Sequence, residues 1–212
     1  MKVLQVNVVY KKGSTGKIVY DIHKRLQEKN IESVVCYGRG LKIDDDNVYK
    51  TSSEILAKSN ALRSRITGLQ YNGSFFATEK LINIIKAEEP DIVHLHCING
   101  YFVNIYDLIE FLKNNNYKTV LTLHAEFMYT GSCGHALECT KWREPTGCNN
   151  CPMLKEATHS YFFDRTHTAW EKMRKAFEGF DNLVVVSVSP WLMKRAKQSV
   201  ILSNKRHFTV LN

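Results

Sequence analysis

Three histidines stand where strand-like runs approach their ends. His94 and His96 alternate along Asp91 to Cys97 (DIVHLHC), so both leave one face of a strand while Leu95 leaves the other. His124 closes the run Lys118 to His124 (KTVLTLH). An imidazole titrates close to neutral pH and can hydrogen-bond a ligand in either protonation state. Of the pair, His96 is the site candidate, because His94 lies deeper in the strand and reads as a hydrogen-bonded core histidine. His124 is the foremost candidate in the chain: it is a polar residue at the C-terminal end of an apolar strand, where open parallel sheets hold their ligands. Its alternative role is to hydrogen-bond the loop that follows.

A second group follows the first strand. Lys11-Lys12-Gly13-Ser14-Thr15-Gly16-Lys17 superficially resembles a Walker phosphate loop. However, Lys11 stands where the first glycine is needed, and Ile18 replaces the Ser or Thr that would hold magnesium. An ATPase is therefore excluded, and the three-glycine dinucleotide fingerprint is absent as well. What remains is a glycine loop opening a helix, where free N–H groups and the helix dipole favour a phosphate or a sugar hydroxyl. A plain glycine turn is the simpler alternative.

Four of the six cysteines, Cys133, Cys139, Cys148 and Cys151, cluster in the chain. Cys148 and Cys151 form a C-x2-C pair, a common half of a zinc site, while the gap between Cys133 and Cys139 is wider than usual. Four thiolates could close a tetrahedral structural zinc, with His135 as a substitute ligand. Free thiols around Trp142 and disulfides are the alternatives, and a reducing compartment favours metal over bridges. Cys36 and Cys97 sit in apolar runs and read as small core residues.

These groups need a scaffold, and the hydrophobic pattern supplies one. Lys2 to Val9 is a Val-rich strand. The glycine loop leads into a helix with Ile18, Ile22 and Leu26 on one face, and Ser33 to Tyr37 is the next strand. This is a right-handed βαβ unit. Gly38 to Asp46 reads as a solvated loop, helices are expected at about 53–67 and 74–86, and Pro90 closes the second. Asp91 to Cys97 and Lys118 to His124 are strands around a helix from Asn104 to Asn115. Residues 125–160 break the rhythm, with glycines, prolines and the four cysteines, and a loop of that length in a compact domain is usually functional or held by something. Thr166 to Phe177 reads as a helix, Asn182 to Ser189 as a buried strand, Pro190 to Ser199 as a helix with Pro in its first turn, and Phe208 to Leu211 as a last strand. The expected fold is α/β: a Rossmann-like, doubly wound parallel sheet in one domain over 1–212, with a long Cys-rich loop.

The chain has 212 residues, is 44% hydrophobic and carries 29 Lys and Arg against 21 Asp and Glu, a formal charge of +8. That size buries a real core without disulfides, and the charge favours anionic partners such as phosphates, nucleic acid or acidic lipid. No run approaches a membrane span, and Met1 to Tyr10 meets Lys11-Lys12 too soon for a signal peptide, so a cytoplasmic location is expected. Lys194, Arg195 and Lys197 on one helix, and Lys172, Arg174 and Lys175 on another, are compatible with peripheral docking on anionic membrane at the inner face of the plasma membrane; a solvated basic face is the alternative.

Together these motifs resemble a family. Gly-Ser-Thr-Gly-Lys-Ile after the first strand, Tyr37-Gly38-Arg39, Pro90 to His96 followed by Gly100-Tyr101, and Thr122-Leu123-His124 look like the N-terminal, acceptor-side domain of family-four glycosyltransferases of the GT-B fold. Within that family, the bacterial exopolysaccharide and capsule enzymes of the colanic-acid type are most similar. The resemblance continues through Thr130-Gly131-Ser132-Cys133, Cys139, Trp142, Gly147 to Pro152, Trp170, Lys175, Phe177, Ser189 to Leu192 and Val210-Leu211-Asn212. Relatives usually place an Asp after the histidine and a Trp soon after, where this chain has Ala125-Glu126-Phe127-Met128. They also continue past the position of Asn212 into a second domain that holds most of the donor.

The resemblance implies a retaining transfer of sugar from a nucleotide-diphosphate sugar to a glycan acceptor carried on lipid. It implies no cofactor for the transfer, and a C-terminal domain of the same enzyme as partner. His124 would be the catalytic contact to the transferred sugar or its diphosphate. Gly13, Ser14, Thr15, Gly16, Lys17, Arg39, His96, Gly100, Tyr101 and Glu126 would bind substrate, and the isolated chain would bind without efficient turnover. The competing readings are a nucleotide- or phosphate-binding module without catalysis, and a zinc-stabilised nucleic-acid-binding protein. The last is disfavoured because the cysteine cluster lacks a finger-like helix with spaced histidines and the basic residues are dispersed.

Overall fold

The computed structural model describes residues 1–211; Asn212, the last residue of the Val210-Leu211-Asn212 motif, lies outside the described residues. Seven parallel strands form one sheet in the order β3-β2-β1-β4-β5-β6-β7. The strands are β1 (Lys2–Asn7), β2 (Glu32–Tyr37), β3 (Val48–Lys50), β4 (Ile92–Leu95), β5 (Thr119–Leu123), β6 (Leu183–Ser187) and β7 (Arg206–Thr209). The helices are α1 (Gly13–Glu28), α2 (Glu54–Thr67), α3 (Phe75–Glu88), α4 (Ile105–Asn114), the single turn α5 (Leu154–Ala157), α6 (Thr166–Phe177) and α7 (Pro190–Gln198). The doubly wound α/β expectation therefore holds.

From β1 the chain first steps outward to β2 and β3, then returns to build β4 to β7 on the other side. The reversal lies between β1 and β4. With right-handed crossovers, α1 then covers one face of the sheet, and α4, α6 and α7 cover the other. Burial agrees. Val93, Leu95, Leu121, Leu123 and Val185, on the face beneath α4 and α6, are buried, whereas Ile92, His94, Val120, Thr122, Val184 and Val186 on the α1 face are only half-buried.

Local chemistry explains the boundaries. The Ser53 hydroxyl caps α2 by accepting from Leu56 N at 3.2 Å, and Gly68 ends the helix with φ 75°, a conformation that favours glycine. Asn104 caps α4 through the N–H groups of Tyr106 and Asp107, while Ser189 caps α7 with Pro190 in its first turn. Gly38 has no room for a side chain: a Cβ there would lie 1.9 Å from the Phe102 ring.

Several expectations need correction. A short strand at Val48–Lys50 pairs with β2; at three residues it is too short to carry a strand pattern of its own. The last strand begins two residues earlier and ends two residues earlier than Phe208 to Leu211. The Gly38 to Asp46 loop is tied rather than merely solvated, since the Asp45 carboxylate meets Lys11 Nζ at 2.6 Å. Residues 125–160 are irregular except for a 3-10 turn at Lys141–Arg143 and α5. They nevertheless carry buried Phe127, Met128, Tyr129 and Trp142, continuous with the core that includes Trp170, and each such side chain contributes about 1.5–3 kcal/mol when removed from water.

Candidate functional site

The C-terminal ends of β1, β4 and β5 are adjacent at the point where strand order reverses, and most of the predicted site residues are there. Asn7, the last residue of β1, joins them. Its side-chain amide donates to Val9 O at 2.7 Å and to Thr15 Oγ1 at 3.4 Å, and its carbonyl oxygen accepts from Cys97 N at 3.1 Å. Asn7 therefore sets the glycine loop against the end of β4. Sequence reasoning overlooked it, although it meets the criterion that singled out His124, a polar residue ending an apolar strand.

Gly13, with φ 66°, turns the chain into α1, and Gly16 packs so closely that a Cβ would lie 3.0 Å from Val9 Cγ2. The α1 N-terminus has no side-chain cap and no acidic residue in its first turn. Gly13, Ser14 and Lys17 are exposed there, with Thr15 half-buried. The free N–H groups and the positive end of the helix dipole suit an anionic oxygen. Gly100 is also a close approach, since a Cβ would meet Val8 Cγ2 at 2.2 Å.

The histidines form a short ladder. His94 Nε2 is 2.7 Å from Thr122 Oγ1, the satisfied core role expected of it. The His94 and His96 ring centres are 4.0 Å apart, and those of His96 and His124 are 5.8 Å apart. His96 is 1% exposed, and neither of its ring nitrogens has a partner, nor does Nε2 of His124. Burial holds all three imidazoles toward the neutral form, bringing His94 down to about 4; His94 and His124 add to the burial effect at His96, and burial alone lowers His124. Next to the ladder is a groove of about 380 Å³ lined by Ile18, Asp21 and Ile22 of α1, His94, His96, Thr122 and Val186 of the sheet, and Val210 and Leu211.

Three predicted binding residues are engaged elsewhere. Arg39 pairs with Glu54 at 2.8 Å, and Gly40 N donates to the same carboxylate at 2.8 Å. Tyr101 donates its hydroxyl to Gln70 Oε1 at 2.9 Å. Glu126 is fully buried. Its Oε1 accepts from Tyr129 Oη at 2.9 Å and from Arg195 Nε at 2.5 Å, and its Oε2 accepts from Ala136 N at 2.7 Å. Glu126 is thus a tie between the long segment and α7, not a side chain facing a substrate. The guanidinium of Arg195 also lies 5.0 Å from the ring centres of both Trp142 and Trp191. These long-range pairings have no local signature in the chain.

Two of the expected membrane-facing groups are occupied as well: Arg195 by Glu126, and Arg174 by Glu171 at 3.2 Å and Glu178 at 3.5 Å. The four clustered cysteines are unpaired and line one small cavity. Among the described residues, no three His, Cys, Asp or Glu side chains already stand together as a metal site. No helix is long and apolar enough to cross a membrane.

A doubly wound parallel sheet with its polar residues gathered at the strand-order reversal is an architecture that the N-terminal domains of GT-B glycosyltransferases share. The sequence matches the model of Glycosyltransferase Family 4 over residues 15–203, and the chain belongs to that family. Among solved structures it is similar to sucrose-phosphate synthase (tll1590) from Thermosynechococcus elongatus, with a TM-score of 0.50 and 8% identity over 99% of this chain. At that identity the likeness concerns the fold alone. The match takes in 47% of the synthase, so the chain spans about half its length. No curated protein matches the sequence.

Two predictions follow from the geometry. Because the native histidines bind protons less readily than the unfolded chain does, their contribution to stability is complete above about pH 6.5 and is lost as pH falls toward about 4. Thermal unfolding measured across that range should show the loss, and replacing His94 with Asn should make it shallower, leaving the part due to His96 and His124. Replacing Glu126 with Ala leaves Arg195 without its partner and should cost about 3–5 kcal/mol in denaturant unfolding.

Proposed function

We propose that this chain forms the acceptor-side wall of a retaining glycosyltransferase, which moves a sugar from a nucleotide-diphosphate donor to a glycan carried on lipid in cell-surface polysaccharide synthesis. The observation that carries this reading is the placement of His124, with Nε2 unpartnered, at the end of β5 on the same strand edge as the uncapped N-terminus of α1. In the proposed role His124 hydrogen-bonds the transferred sugar or its diphosphate. The α1 amides, with Ser14, Thr15 and Lys17, supply positive potential to phosphate or hydroxyl oxygens. Catalysis then rests on positioning and on stabilising the departing diphosphate. Neutral His124 suits a hydrogen-bonding role rather than a charged one. No residue is assigned as general base, and no metal is assigned to the transfer.

The groove over β4 to β6 supports a further packing partner, because parallel sheets are normally covered on both faces. In this reading the donor-binding domain of the same enzyme packs there and completes the cleft. The 212-residue chain should therefore bind nucleotide sugar weakly, with chemical-shift changes at the His124 imidazole and the first amides of α1, and should not turn it over. Glycosyl transfer by the chain alone at an ordinary enzymatic rate would overturn the assignment. In an active two-domain protein, His124→Ala should lower kcat by about 10²–10³-fold, the usual cost of removing a positioned hydrogen-bonding group.

The lipid-linked acceptor is supported by a surface around α2. Ile55, Leu62 and Ile66 of α2, Phe75 and Phe76 at the start of α3, and Phe162 and Phe163 are all exposed. The segments meet through Tyr161 N, which donates to Arg65 O at 2.8 Å, and Asn60 Nδ2, which donates to Ser74 Oγ at 2.6 Å. Lys58, Arg63 and Arg165 are exposed in the same segments. Apolar side chains among cations suit the interface of an anionic bilayer, and this surface replaces the basic faces of α6 and α7 as the proposed contact. The chain should co-sediment with vesicles containing phosphatidylglycerol and be released by salt; the Phe75→Ser, Phe162→Ser double variant should stay in the supernatant. Equal binding of both proteins would remove this surface from the model.

A further inference from the structure

Residues 125–160 have almost no regular secondary structure, yet the chain within them is closely held, and the restraints converge on four thiols. Cys133, Cys139, Cys148 and Cys151 line one cavity of about 10 Å³, the space of a single water-sized sphere. All four are free of disulfides. Each is anchored through its own backbone or side chain. Cys133 O accepts from Thr130 Oγ1 at 2.8 Å, and Cys139 O accepts from Trp142 Nε1 at 2.8 Å. Cys148 Sγ accepts from Gly131 N at 3.1 Å, and Cys151 N donates to Asp164 Oδ2 at 2.5 Å. Lys141 Nζ reaches Asn149 O at 3.0 Å and Asn150 O at 2.7 Å, clamping the turn between the last two cysteines.

The glycines beside the cluster leave no slack. A Cβ on Gly131 would lie 2.7 Å from Cys148 Cβ, and one on Gly147, at φ 68°, would lie 2.2 Å from the Trp170 ring. The chain therefore reaches Cys148 by a path that fixes its direction.

We propose that these four cysteines form a structural zinc site that stiffens the segment following His124. A tetrahedral ion with four thiolate ligands needs sulfurs about 2.3 Å from a common centre. The four cysteines line one cavity without already standing as a metal cluster, and binding would draw their sulfurs together. Gly131 N–H donates to the Cys148 sulfur at 3.1 Å, and such a donor stabilises negative sulfur. The Lys141 side chain lines the same cavity and offsets part of the charge of four thiolates around a divalent ion. Zinc binds cysteine as the thiolate, so each ion bound releases the thiol protons to solvent. The cavity has room for one ion and none for an iron–sulfur cluster, and soft thiolate ligands in a tetrahedral set select zinc.

The whole chain, produced in zinc-supplemented medium and purified without chelator, should retain about one zinc per molecule by elemental analysis. Substitution with cobalt(II) should produce the intense thiolate-to-cobalt absorption and visible bands of a tetrahedral all-sulfur site. Cys148→Ser and Cys151→Ser should abolish both signals, whereas Cys36→Ala, outside the cluster, should keep them. The cobalt spectrum of the unaltered chain tests the site even where a serine variant fails to fold. Recovery of the folded chain with no metal and four reactive thiols, with two disulfides, or with iron in place of zinc would overturn the proposal. A zinc-loaded chain that binds no nucleotide sugar would count against the functional reading alone and leave the site standing.

Discussion

The Glu126–Arg195 pair is the interaction on which the arrangement around the site depends. A carboxylate in the interior is costly unless its oxygens are filled by donors and its charge is met. Here Tyr129, Ala136 and Arg195 do both. Glu126 follows His124 by two residues, whereas Arg195 belongs to a helix 69 positions further on. The pair thus fastens the start of the long segment to α7, with Trp142 and Trp191 flanking the guanidinium. His124 is held at the strand end because the chain leaving it is tied down immediately afterwards.

The same logic extends through the segment. A stretch of this length with so little secondary structure must satisfy its backbone polar groups by other means, and it does so through turn hydrogen bonds such as Glu126 N to Gly134 O and Cys139 N to Ala136 O, joined by side-chain oxygens and sulfur, with the buried aromatic rings supplying the apolar content. In this chain Glu126, two residues after the histidine, serves as an internal tie. Arg39 shows the same substitution of roles, its charge held by Glu54 at the mouth of β2.

Around this clamp the sheet provides two unlike faces. Beneath α4 and α6 it is a closed core, while beyond α1 it carries half-buried valines, Thr122 and the histidine ladder beside an open groove. Polar side chains on a strand of a parallel sheet are tolerable where one face remains partly accessible, and that is where His94 and His96 are found. The asymmetry places the groups able to hydrogen-bond at the strand-order reversal and leaves the opposite face to support it.

The order of elements, the parallel doubly wound class and the glycine loop were legible in the chain because each has a local cause: Val-rich runs of strand length, apolar positions at helical spacing, and glycines before a helix. The position of His124 just after β5 could also be read from the apolar run it closes, whereas His94 and His96 both line the groove and differ in burial against their depth in the strand, His96 being 1% exposed and His94 half-buried. The partners of Glu126, Arg39 and Arg195 were not legible, since an ion pair between residues 69 apart leaves no trace in either neighbourhood. Nor was β3, whose three residues become a strand only by pairing with the edge of β2. The exposed aromatic surface and the cavity shared by the four cysteines likewise arise from segments distant in the chain, because folding alone decides which of them meet.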